Sequence, residues 1–162
     1  MPLSLSESLE NDVRCVRISV PAPLHRILGF YLPNALAIII KEVIVKFAPD
    51  VVHAHAARPA GVLAFNALKY LDIPYVITEH SGPLTDFWWT AHGKRHIQLA
   101  YQHADRLFAV SEFLRREMIS HFEGAADQTT ILNNGIDTDL FIQNNQPPRQ
   151  GRLLFVGALE KQ

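Results

Sequence analysis

Residues 50–78 read DVVHAHAARPAGVLAFNALKYLDIPYVIT (Asp50–Thr78), and the order of patterns inside this stretch decides the fold class. Asp50 to Ala54 is a short apolar run of strand length. Pro59 then opens a helical pattern through Ala60, Leu63, Ala64, Ala67, Leu68 and Leu71, and Pro74 to Thr78 returns to the strand signal. A strand, a helix and a second strand in this order form a crossover unit, which joins parallel strands.

Working outward, the same alternation continues. A loop with Gly82 and Pro83 leads to a helix around His92 to His103, then a short apolar run from Arg106 to Val110. Ser111 stands where an N-cap belongs, followed by Glu112, which suits the helix dipole, and a helix to about Phe122. Thr129 to Leu132 makes a further strand, and Asn134-Gly135 marks a turn. Toward the N-terminus, Val13 to Val20 alternates as a strand until Pro21, and Pro33 to Ala48 is a helix apolar on nearly every face, expected to be buried under a sheet. Residues 1–12 read as a loop. The fold class is therefore α/β, a mainly parallel sheet with helices on both faces.

Composition narrows the function. The chain has 162 residues, 48% of them apolar and 19% charged, in the range of one soluble globular domain. Its formal net charge of -1 supplies no field for nucleic acid. The single cysteine, Cys15, reads as a small buried hydrophobe and fits a reducing cytosol. No secretory leader is apparent, and the apolar tract Ile27 to Phe47 is interrupted by Pro33, Asn34, Lys41, Glu42 and Lys46, so a buried helix is expected rather than a membrane span.

Ligands of open parallel sheets bind beyond the strand carboxyl ends. Here the distinctive pieces are Asp50-Val-Val-His-Ala-His55, Thr78-Glu-His-Ser-Gly82, Ala104-Asp-Arg-Leu-Phe-Ala-Val-Ser111 and Leu132-Asn-Asn-Gly-Ile-Asp137. In this order, with Leu153-Leu-Phe-Val-Gly157 after them, they resemble the family-4 retaining glycosyltransferases of the GT-B fold. The resemblance implies a Rossmann-like domain over residues 1–138, lacking the family's opening strands, an interdomain linker over 139–151, and the first strand of a truncated donor-binding domain over 152–162. It implies a nucleotide-sugar donor, a glycan, lipid-linked or small-molecule acceptor, and no cofactor. Catalysis would need the second domain. The missing strand would leave Val13 to Val20 apart from the strand at Asp50. A cytoplasmic setting is expected, with the inner face of a membrane as an option.

By the same resemblance His80 is the catalytic histidine facing donor sugar and acceptor hydroxyl, where an imidazole hydrogen-bonds a hydroxyl and shields developing positive charge. His55 is expected to bind substrate. Trp88 and Trp89 offer sugar-stacking faces and Lys94 and Arg95 suit a phosphate, although covering the core and starting a solvated helix serve these four equally well. Gly157 matches the glycine beside the donor pyrophosphate, while Ala158 departs from the arginine of many relatives. Glu79 and Ser81 flank His80 but point away from it by strand alternation. Two other readings stand beside this one: a non-catalytic saccharide- or partner-binding module, and a zinc hydrolase using His53, His55 and His80, since His-x-His is a ligand spacing. Neither is preferred, and no metal site is expected.

Overall fold

The computed structural model describes residues 4–21, 32–80, 82, 84, 91–142 and 151–153. Two sheets are present among them. The first is a ribbon of β1 (Ser4–Glu10) and β2 (Val13–Ser19), antiparallel with Glu10 opposite Val13. Its two-residue turn places Asn11 and Asp12 at φ 48° and 64°, the left-handed conformation that suits a tight hairpin and that these residue types tolerate. The opening residues are thus a strand and not a loop. The second sheet has four parallel strands in the order β3 (Val52–His55), β4 (Tyr75–Glu79), β5 (Arg106–Ala109) and β6 (Thr130–Ile131). As expected, β2 does not pair with β3, and each sheet has an edge of its own.

Between the strands lie α1 (Leu32–Phe47), α2 (Val62–Leu68), α3 (Ala91–His103) and α4 (Glu112–His121). The α/β expectation therefore holds, with a parallel sheet flanked by helices as in a Rossmann-like domain. The helix anticipated from Pro59 begins differently: a wide π-type turn over Ala57–Gly61 comes first, and α2 only takes over at Val62. Ser111 caps α4 as expected, its hydroxyl accepting from the Leu114 amide. Asn134-Gly135 forms no turn. The reversal comes at Asp137, whose carboxylate accepts from the amides of Asp139 and Leu140.

Strand alternation sorts the sheet into two faces. Tyr75, Ile77 and Glu79 point to one side of β4, with Ala54, Leu107 and Ala109 beside them in register. This side is the core. Ile77 and Ala109 are fully buried, and Tyr101 of α3 meets Phe122 edge-on at 5.1 Å. The Tyr75 hydroxyl donates to the Ala100 carbonyl, while burial pushes that phenol well above its ordinary range. Helix α1 is less covered than its composition suggests. It buries Ala37 and Ile44 but leaves Ile38, Val45 and Phe47 more than half exposed.

The start of β4 is fixed by Asp105, which precedes β5. Its amide donates to the Tyr75 carbonyl and its carboxylate accepts from the Tyr75 amide, both at 2.9 Å. Within the motif Ala104-Asp-Arg, this aspartate registers strands and lies at the end of the sheet away from the histidines.

Candidate functional site at the strand tips

The opposite face of β3 and β4 carries His53 and His55, then Thr78 and, one residue beyond β4, His80. Register explains the meeting. His53 pairs with Val76 and His55 with Thr78, so side chains two apart on each strand rise on the same side. The His53 Nε2 is 2.8 Å from the Thr78 hydroxyl, its ring stacks on His55 with centroids 4.3 Å apart, and His55 Nδ1 is 2.9 Å from His80 Nε2. His55 and His80 are both exposed.

Behind this face, Glu79 points the other way, as alternation requires, and is 2% exposed. Its Oε2 accepts from the Ala57 amide at 2.8 Å and from the Tyr101 hydroxyl at 3.0 Å, and its Oε1 accepts from the His80 amide at 3.1 Å. One carboxylate therefore ties the tip of β4, the turn after β3 and helix α3 together. By direction alone Glu79 carries little weight in the sequence, because alternation turns it away from His80. A charged residue at an inward position of a buried strand was the available signal, since such a group must be fully partnered. Burial and the adjacent carboxylate together hold the Tyr101 phenol well above its usual range.

Between the two histidine-bearing tips, Ala56 has φ 67° and ψ 141°, a conformation that disfavours any side chain with a Cβ. It is held there by its amide donating to the Thr78 carbonyl at 2.8 Å and its carbonyl accepting from Gly61 at 3.0 Å. Strain relief should outweigh the extra chain entropy of glycine, so Ala56→Gly is expected to raise stability by about 0.5–1 kcal/mol. A urea midpoint that falls in this variant would contradict the assignment of strain.

The pKa of His53 lies below the ordinary histidine value of 6.5, first through burial and then through repulsion from His55 and His80. The unfolded chain therefore binds more protons at this position than the fold does in the window just below 6.5. Stability associated with His53 is present above that value and is lost as pH falls through the lower, folded one. His53→Gln keeps a hydrogen-bonding group near Thr78 without the titration. The drop in urea midpoint between about pH 8 and about pH 5.5 should be smaller in this variant than in the parent chain.

Of the other expected site residues, Trp88, Trp89, Ser81 and Gly157 lie outside the described residues, as does most of the strand expected over 152–162, whose first two residues, Arg152 and Leu153, are not in a strand. Lys94 is half-buried with its ammonium 6.0 Å from the Phe122 ring centroid, so its stem lies over the core. Arg95 is exposed. Among the described residues no hydrogen bond joins Lys94 or Arg95 to the histidines, and no group of three His, Cys, Asp or Glu side chains is arranged to hold a metal ion. His53 and His55 do share a face with His80, but they turn their nitrogens to Thr78 and to His80. Nor is any helix among the described residues long and apolar enough to cross a membrane.

A histidine-bearing tip on a parallel α/β sheet is compatible with several families, and comparison of the whole chain decides among them. The profile of Glycosyltransferase Family 4 matches residues 3–140. The chain belongs to that family. Similar proteins include the glycosyltransferase MJ1178 of Methanocaldococcus jannaschii, 26% identical over 94% of this chain and 42% of the relative. The sulfoquinovosyl transferase SQD2 of Arabidopsis thaliana is 30% identical over 76% of this chain and 25% of its own length. A glycogen synthase of Mycobacterium tuberculosis is 31% identical over 69% of this chain and 29% of its own. The chain thus spans between a quarter and about two fifths of the glycosyltransferases it matches.

Proposed function

We propose that this chain is the acceptor-side domain of a retaining glycosyltransferase, which passes a sugar from a nucleotide-sugar donor to a glycan, lipid-linked or small-molecule acceptor. In this reading the domain ends near residue 138, the segment 139–151 crosses to a donor-binding domain, and the 162-residue chain is inactive alone. The observation that carries the proposal is His80, exposed at the carboxyl end of β4 and held from behind by buried Glu79. An imidazole on a tethered strand tip meets a sugar hydroxyl without carrying a permanent charge, and it shields positive charge that develops on the sugar ring as the donor bond breaks.

Relatives of nearly equal identity are named for sulfoquinovosyl transfer and for glycogen synthesis. The proposal is accordingly confined to glycosyl transfer and names no single sugar. Donor choice would lie in the second domain, and any association with a membrane would follow from a lipid-linked acceptor.

The test joins this chain to a family-4 donor-binding domain and screens nucleotide sugars for nucleotide release and product formation. Transfer by the joined protein and none by the 162-residue chain is the expected result. Saccharide binding without transfer from any donor would replace the enzyme reading with that of a binding module.

A further inference from the structure

His55 and His80 meet ring to ring, with centroids 5.1 Å apart, planes inclined by 32° and the bonded nitrogens 2.9 Å apart. A neutral imidazole has one N–H and one lone pair. A hydrogen bond between two such rings therefore uses the N–H of one and the lone pair of the other. The remaining nitrogens, Nε2 of His55 and Nδ1 of His80, have no hydrogen-bond partner among the described residues.

What these two outer nitrogens offer is fixed by the inner bond. If His80 donates, its Nδ1 is a lone pair and His55 Nε2 carries hydrogen. If His55 donates, the roles exchange. Either way the neutral pair presents one donor and one acceptor outward, never two of a kind. The rings are also held in place: His53 stacks against His55 from behind while bonded to Thr78, and Glu79 holds the His80 amide.

We infer that His55 and His80 form one recognition unit for two neighbouring hydroxyls of a sugar, with His55 as the positioning residue that fixes the orientation and tautomer of His80. Two hydroxyls on adjacent carbons, hydrogen-bonded to each other, themselves end in one donor and one acceptor. Such a vicinal diol closes the ring of bonds: an imidazole N–H donates to the first oxygen, that hydroxyl donates to the second, and the second donates to the free imidazole lone pair. No proton need leave its atom. The choice of ligand rests on the glycosyltransferase reading, whereas the locked tautomers do not.

Long-range ¹H–¹⁵N spectra of the labelled 162-residue chain at about pH 8, above the ordinary histidine range, test both parts. The bonded nitrogens of His55 and His80 should appear as opposite types, one protonated and one not. In His55→Ala the His80 nitrogens should shift to averaged values. His55→Asn, whose amide stands where Nδ1 stood, should restore a fixed tautomer, and His55→Gln, with its amide one bond farther out, should not. Averaged tautomers in the parent chain, or His80 shifts unchanged in His55→Ala, would overturn the positioning role. Methyl mannopyranoside should move the signals of both rings in the parent chain, and its 2,3-di-O-methyl ether should not. Locked tautomers with no response to the free sugar would overturn the diol assignment. Since the spectra require no turnover, failure of the transferase reading appears separately, as absent transfer in the joined protein.

Discussion

Glu79→Ala is expected to be the most destabilising single change at the strand tips. The side chain is 2% exposed and accepts hydrogen bonds from the Ala57 amide, the Tyr101 hydroxyl and the His80 amide. Truncation leaves these donors facing a cavity next to Ile77, which is fully buried. Each unsatisfied buried donor costs about 1–3 kcal/mol, and truncation strands three of them together. A loss of about 3–5 kcal/mol is therefore expected, a large share of the ~5–15 kcal/mol that stabilises an ordinary domain. Glu79→Gln should fall between, because its amide oxygen still accepts while its NH2 adds donors to a site already rich in them. Urea unfolding followed by far-UV circular dichroism measures the effect. A loss below about 1 kcal/mol in Glu79→Ala would mean that the three bonds add little, in disagreement with their depth and number.

The second large effect is on turnover and leaves the fold nearly untouched. His80 is exposed, and its side chain bonds only to His55 among the described residues, so His80→Ala should change the urea midpoint little. In the joined transferase, removal of one preorganised polar group that meets developing charge lowers kcat by about 10²–10³-fold. On the proposed role the change should appear in kcat more than in KM, since such a contact would strengthen as charge grows on the sugar. His80→Gln, which keeps an amide near the position of Nε2, should hold His55 in place yet recover little of the rate. Unchanged turnover in His80→Ala would remove the histidine from the mechanism. On the proposed function, the pair of variants at 79 and 80 should therefore separate the two sides of one strand tip, with stability falling in the inward variant and rate in the outward one.

Local signals made most of the sheet legible in the sequence. Strands β3, β4 and β5 were visible as short apolar runs bounded by Pro49, Pro74 and Ser111, and the cap on α4 was visible as a serine before Glu112. Polar composition hid β1: its Ser, Leu and Glu residues are all exposed, so no buried face marks it, and the Asn11-Asp12 turn shows itself only in the backbone angles. Asn134-Gly135 misled in the opposite direction, because turn propensity is a preference that the neighbouring Asp137 carboxylate overrode. For the site, alternation put His53 and His55 on one face of their strand and turned Glu79 away from His80, as the structure has them. Direct bonding between His55 and His80 could not be read, since it depends on the β3 to β4 register across 25 residues of sequence. Helix α1 shows the limit of composition alone. Its apolar residues exceed what α2 covers, and Ile38, Val45 and Phe47 remain in solvent.

The N-terminal ribbon gives the molecule two tiers of order. All seven residues of β1 are exposed, and the ribbon is braced across its strands by the ion pairs Glu7 with Arg14 and Glu10 with Arg17 rather than by a core. A two-stranded ribbon of this kind is marginal by itself, and exposed ion pairs weaken as salt rises. Its amide protons should consequently trade with solvent well ahead of those in β4, and earlier still in concentrated salt, while the strand tips bearing the histidines keep their shape.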